Sequence, residues 1–351
     1  MHEGTFDLLT LSLAPGVSPR HVREIRDRGL VREAVTAPDR VVELGPEARR
    51  SLSCGEARRR AQAEVDRSRR VDVQIVGLDD AGYPPLLART YDPPPVLWVR
   101  GVLRPGEGEE CVAVVGSRKA SPGGLALARA LGRDLAGAGL TVVSGLARGI
   151  DTVAHEGALH SHGRTVAVLG SGLDRVYPPE NARLAERVAE AGAVVSEFPL
   201  GTPPLAPHFP RRNRVIAGWG RAVVVAEAAL KSGALGTARA ALEEGRDVMA
   251  VPGHPSAETF AGTNALIRDG AVLVRGAADV LEELGLAAAD VAIPAPTDDD
   301  VLLALKRDVP TSLEELVARS GREVPELLRR LSLLEVGDRV RRLPGPLYVR
   351  N

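Results

Sequence analysis

The chain has 351 residues, 44% of them hydrophobic and 26% charged, which calls for two or three folded domains and excludes an intrinsically disordered chain. Its net charge is −1, so a polyanion has to be met by basic groups gathered on one face, not by overall charge. The two cysteines, Cys54 and Cys111, provide neither a disulfide framework nor a zinc pattern; no apolar stretch reaches membrane-spanning length and no targeting segment is read, so a cytoplasmic protein is expected.

Aromatic residues make up only 3% of the chain, so the core must be built from Ala, Val and Leu. Residues 1–70 read as short helices. Pro15-Gly16-Val17-Ser18-Pro19 is a turn in which Ser18 caps the next helix and Pro19 takes its first position. Val22, Ile25 and Leu30 form the apolar set that follows. A helix, a Gly-containing turn and a second helix resemble the helix-hairpin-helix and SAM-like modules; a small helical adaptor fits the pattern equally well. Residues 71–110 are Pro-rich, with Tyr83-Pro84-Pro85 and Asp92-Pro93-Pro94-Pro95, and read as an entry segment that extends the sheet of the next region.

From Cys111 the pattern changes. Short Val-rich runs at Cys111–Val115, Thr141–Val143, Thr165–Leu169, Val194–Ser196, Ala222–Ala226, Asp247–Val251 and Ala271–Val274 are apolar throughout, as strands covered on both faces must be. Helical segments such as Leu125–Ala136, Asp151–His160 and Arg183–Glu190 alternate with them. The expectation is an α/β domain over 71–285 with a Rossmann-like, doubly wound, mostly parallel sheet. Residues 286–300, rich in Ala, Pro and Asp, read as a linker. Residues 301–351 give three helical segments, one capped at Thr311-Ser312 with Glu314 and Glu315 in its first turn. A strand pair follows, turned at Pro344-Gly345-Pro346, which makes a winged-helix pattern.

Ligands of open α/β sheets bind at the carboxyl ends of the strands. After the first core strand comes Gly116-Ser117-Arg118-Lys119-Ala120-Ser121-Pro122-Gly123-Gly124, in which Ser121 and Pro122 open a helix. A Gly-rich turn before a helix N-terminus points N–H groups at an anion, and an Arg adds a planar fork for phosphate oxygens. The loop is neither Gly-x-Gly-x-x-Gly nor a Walker loop, so a dinucleotide or nucleoside triphosphate enzyme is disfavoured and no cofactor is expected. Ser144, Gly145 and Arg148 follow the second strand, Gly170, Ser171 and Gly172 the third, and Lys231, Ser232 and Gly233 the fifth. A tight turn explains one such loop; four together imply a phosphate-lined surface. Between the fourth and fifth strands, His208-Phe209-Pro210 leads into Arg211, Arg212, Asn213 and Arg214. Cations beside an aromatic suit single-stranded nucleic acid, with phosphate neutralised and Phe209 stacking a base; a Phe that plugs the core is an equal reading.

These segments, with Val112-Ala113-Val114-Val115, Ala147-Arg148-Gly149-Ile150-Asp151, Leu173-Asp174-Arg175-Val176-Tyr177-Pro178 and Val251-Pro252-Gly253, resemble the DprA (Smf) family in the same order, over residues 80 to 275. The resemblance implies a homodimeric protein that binds and protects single-stranded DNA in natural transformation and loads the RecA recombinase onto it, with no reaction of its own. It implies DNA contacts at Gly116, Ser117 and Arg118 and at Phe209 and Arg211 to Arg214, with Gly170 to Gly172 and Lys231 as neighbours. One departure is Ala206, where some members carry Lys.

His155, His160 and His162 lack a zincin spacing, so no metal is expected. Asp151 is read as a helix cap, and Glu197 and Glu227 as carboxylates that orient Arg side chains. Trp219 is read as core or interface. The alternative function is a nucleotide phosphoribohydrolase of the related LOG type, whose Pro-Gly-Gly-x-Gly-Thr-x-x-Glu loop compares with Lys231-Ser232-Gly233-Ala234-Leu235-Gly236-Thr237; Ala240 stands at the position of the Glu.

Overall fold

The structure is a computed structural model that describes residues 2–286, 300–305, 309–336 and 339–350. It divides into two compact units, residues 1–290 and 291–351. The first opens with helices α1 (Glu3–Ser12), α2 (Pro19–Asp27), α3 (Val31–Thr36), α4 (Pro46–Ser53) and α5 (Glu56–Arg70). Ser18 caps α2 as expected: its hydroxyl accepts from His21 N–H, and His21 Nδ1 accepts from Ser18 N–H, both at 3.3 Å. These helices share one apolar core with the sheet, in which Leu8, Leu11 and Ile25 join Leu97 and Trp98.

The sheet has nine strands: β1 (Gln74–Gly77), β2 (Val96–Gly101), β3 (Cys111–Gly116), β4 (Thr141–Ser144), β5 (Thr165–Leu169), β6 (Ala193–Ser196), β7 (Ala222–Glu227), β8 (Asp247–Ala250) and β9 (Val272–Leu273). Their order is β1-β2-β6-β5-β4-β3-β7-β8-β9. Strands β3 to β9 are parallel, and the Pro-rich entry segment adds β1 and β2 antiparallel at one edge. All seven strands expected from the Val-rich runs are present. The helices between and after them are α6 (Pro85–Ala88), α7 (Pro122–Gly137), α8 (Ile150–His160), α9 (Ala182–Ala191), α10 (His208–Trp219), α11 (Ala234–Glu243), α12 (Ala261–Arg268) and α13 (Ala277–Glu283). The chain runs β3 to β6 toward one edge and β7 to β9 toward the other, so the direction reverses between β3 and β7. The Gly-Ser loops leave the carboxyl ends of these strands. Trp219 is fully buried, as a core residue.

The second unit contains α14 (Asp300–Ala304), β10 (Thr311–Ser312), α15 (Leu313–Ser320), α16 (Val324–Val336), β11 (Val340–Leu343) and β12 (Leu347–Arg350). Its strands form an antiparallel sheet in the order β10-β12-β11. Leu302, Leu316, Leu327, Leu331 and Tyr348 fill its core, and Ser312 and Glu315 cap α15 reciprocally. This is the winged-helix arrangement expected from the sequence. Of the linker placed at 286–300, residues 287–299 lie outside the described residues.

Candidate nucleic-acid interface

The loop after β3 is tied at both ends to one residue of β7. Ser117 N–H donates to the Glu227 carbonyl at 2.7 Å. The Glu227 carboxylate accepts from Ser121 N–H at 2.9 and 3.1 Å and from the Ser121 hydroxyl at 2.6 Å. One expectation is corrected here: Glu227 orients this loop, not an Arg, and its carboxylate lies at the N-terminus of α7 beside Ser121 and Gly124. Arg118 and Lys119 are exposed between the two anchors.

Arg118 turns toward a pocket at the ends of β3, β4 and β5 that is lined also by Gly145, Arg148, Gly170, Tyr177, Phe209 and Arg212. Its guanidinium carbon lies 5.1 Å from the centroid of the Phe209 ring, and that ring is 5.7 Å from Tyr177. Arg148 sits 6.0 Å from the Tyr177 ring and pairs with Glu180, both half-exposed. Phe209 is half-buried: one side is against Gly170, where a Cβ would come within 3.1 Å of the ring, and the ring also lines the pocket. Tyr177 was missing from the expected contacts; its pairing with Pro178 inside a family-like motif was the available signal.

The Arg-rich run is the first part of α10, and a helix gives its residues different surroundings. Phe209 and Arg212, three apart, face the pocket, while His208 and Arg211 face the other way, against Phe198. Arg212 is buried and donates through Nη1 to the carbonyls of Gly145 and Val168. Burial pulls its pKa down to about 10. Arg214 pairs with Glu197 at 2.6 Å and donates to the Asp92 carbonyl; Arg211 reaches the same Glu197 at 3.0 Å and remains half-exposed. Glu197 thus orients two Arg side chains, as expected. Asn213 donates to the Gly233 carbonyl at 3.3 Å, which brings the Lys231-Ser232-Gly233 loop against the far side of α10, with Lys231 exposed.

Other expected contacts are inside the protein. The Ser144 hydroxyl is buried on the Val114 carbonyl at 2.7 Å, and the Ser171 hydroxyl on the Arg175 carbonyl at 2.7 Å. Gly145 leaves room for Arg212, since a Cβ there would stand 2.3 Å from Nη1; Gly172 is pressed against the Pro199 carbonyl. Asp151 lies in the first turn of α8, not at its cap. Its carboxylate accepts from Gly145 and Ala147 N–H at 3.1 and 3.3 Å, and burial raises its pKa despite the nearby Arg212. Among the described residues no helix is long and apolar enough to cross a membrane.

The family model described as DNA recombination-mediator protein A matches residues 74–285, and the DprA winged helix domain matches 285–346. The chain is 43% identical to protein Smf of Escherichia coli K12 over 293 residues, covering 79% of this chain and 77% of that protein. It is 46% identical over 206 residues to the DNA processing protein DprA of Streptococcus pneumoniae, covering 59% and 72%. The solved structure of Streptococcus pneumoniae DprA superposes with a TM-score of 0.70 at 33% identity, over 81% of this chain and 99% of that one. Helicobacter pylori DprA, solved for its single-stranded DNA binding mode, gives 0.54 at 28% identity, over 60% and 95%. On these matches, the first of which spans every residue of the pocket, the chain belongs to the DNA recombination-mediator protein A family, DprA/Smf.

Proposed function

We propose that this chain binds and protects single-stranded DNA at the carboxyl ends of β3, β4 and β5 and loads RecA onto it, in natural transformation and recombination. It acts without a reaction of its own, as a homodimer in the cytoplasm. The observation that carries the reading is the stack of Arg118 on Phe209 at the mouth of the pocket. A cation and an aromatic face at one place suit a phosphate and an unpaired base; in a duplex the bases are stacked inside and unavailable. The proposed contacts are Gly116, Ser117, Arg118 and Lys119, the pocket face of Gly145, Arg148 and Gly170, Phe209, and the exposed Arg211 and Lys231. Ser144, Ser171, Gly172, Arg212, Asn213, Arg214, Ser232 and Gly233 shape that surface from behind or beside it. The single-stranded DNA named for the Helicobacter pylori relative supports the same class of partner.

The test is a fluorescence-anisotropy titration of matched single- and double-stranded oligonucleotides. Expected results are preference for the single strand, affinity falling with salt as phosphate contacts are screened, and a clear loss in Arg118→Ala. No binding to either at low salt overturns the reading. RecA loading is read from RecA-dependent ATP hydrolysis on a strand pre-coated with single-strand-binding protein, which rises when the chain is added. Release of free base from nucleoside monophosphates would favour the hydrolase instead; Ala240 on α11 supplies no carboxylate for it.

A further inference from the structure

The crevice between β3 and β7 is where the sheet's chain order reverses, and in such sheets a helix N-terminus there receives a phosphate. Here the protein fills that seat itself. Glu227, the last residue of β7, is fully buried. Its carboxylate holds Ser121, the cap of α7, by both N–H and hydroxyl, and the Ser121 hydroxyl accepts in turn from Gly124 N–H at 3.1 Å. Gly124 has no space for a side chain, because a Cβ would stand 2.0 Å from Glu227 Oε2. The carbonyl of the same residue holds Ser117. One residue therefore fixes both ends of the segment that carries Arg118.

We propose that Glu227 is a positioning and specificity-determining residue: an internal anion that occupies the phosphate seat at the switch point, so that free nucleotides are refused there and Arg118 is turned outward to a strand. The second half rests on the single-strand reading above; the first stands without it. The physical case is charge. The N-terminus of α7 carries about half a positive charge, which this carboxylate already answers. A second anion would meet a like charge at close range beside a fully buried carboxylate, where repulsion is little screened.

The test uses Glu227→Ala, with Glu227→Gln as an isosteric companion should truncation prevent folding, and circular dichroism to check both. In the Ala variant, inorganic pyrophosphate is expected to bind by isothermal titration calorimetry where the unaltered protein shows no heat. Affinity for an oligothymidylate is expected to fall about tenfold. Sodium acetate is expected to restore that affinity by returning a carboxylate to the opened seat, while sodium chloride at the same ionic strength lowers it further. A side chain that merely filled space would show no such difference between the two salts. The Gln variant keeps the shape and is expected to lose strand affinity without rescue. Ala without a pyrophosphate or acetate response, or Gln with full strand affinity, overturns the proposal. If the unaltered protein bound no strand, the single-strand reading would fall, and pyrophosphate binding by the Ala variant would alone decide the seat.

Discussion

Arg118 is held over the ring of Phe209, 5.1 Å from its centroid, so the loop after β3 and the first turn of α10 meet at one point. A guanidinium stacked on a ring loses little hydration and keeps its N–H edge free for phosphate oxygens. The two residues are therefore expected to act together on a strand, not as separate contacts.

A double-mutant cycle measures this. Arg118→Ala and Phe209→Leu are each expected to weaken oligothymidylate binding about tenfold, and the double variant to lose less than the product, with about 1 kcal/mol of coupling. Leu is chosen because it keeps an apolar side chain against Gly170 while removing the π-face. Anisotropy titrations of the four proteins give the answer. Losses that add to within about 0.4 kcal/mol would show that the two side chains act on the strand independently, with nothing gained from their contact.

Much of the scaffold was legible in the sequence because both-face burial writes itself as unbroken Val-rich runs; Cys111–Val115 and Thr165–Leu169 carry no polar side chain that a solvent-facing position would demand, apart from the opening Thr165. The Pro-rich segment was legible as an extension of the sheet, though not its antiparallel sense. The four arginine and asparagine positions after Phe209 were not separable. Basic residues at consecutive positions look alike in sequence, and only the helical turn of α10 sends Arg212 inward, Arg214 to Glu197 and Arg211 to the rim. Glu227 was misread for a related reason: its partner Ser121 is far away in the chain, and nothing local announces that contact.

Arg212 is expected to be a residue of stability more than of DNA contact. Its Nη1 joins the carbonyls of Gly145, just past β4, and Val168 in β5, and its charge faces the buried Asp151. Arg212→Met removes both hydrogen bonds and the stronger of the two positive charges acting on Asp151, Arg118 being the other. The expected cost is about 3 kcal/mol, within the range for opening a buried polar network. Urea unfolding at pH 7 measures it, with Arg118→Ala as the exposed control at less than about 0.5 kcal/mol. Equal midpoints for the two variants would contradict the structural role given to Arg212.

The last prediction concerns acid. His155 is fully buried on α8, and its Nδ1 lies 2.7 Å from the Thr165 hydroxyl, which itself donates to the Val142 carbonyl at 2.7 Å. The hydroxyl proton is thereby committed, so His155 Nδ1 carries the hydrogen and donates, and the ring is neutral. Burial, reinforced by the positive charge of Arg212, pulls its pKa down to about 3 from an ordinary value of 6.5. The unfolded chain takes up a proton as pH falls through 6.5 and the folded chain does not until about 3, so the stability this histidine contributes is complete above 6.5 and is lost as pH falls between those values. At pH 5 the loss is about 2 kcal/mol. Asp151 works in the opposite direction, since a raised carboxylate pKa favours the folded chain in acid. His155→Asn keeps a donor toward Thr165 and has nothing to titrate, so it isolates the histidine's share. Urea unfolding at pH 7 and pH 5 is expected to show the larger drop in the unaltered protein; an identical drop in the Asn variant would assign the acid sensitivity to other groups.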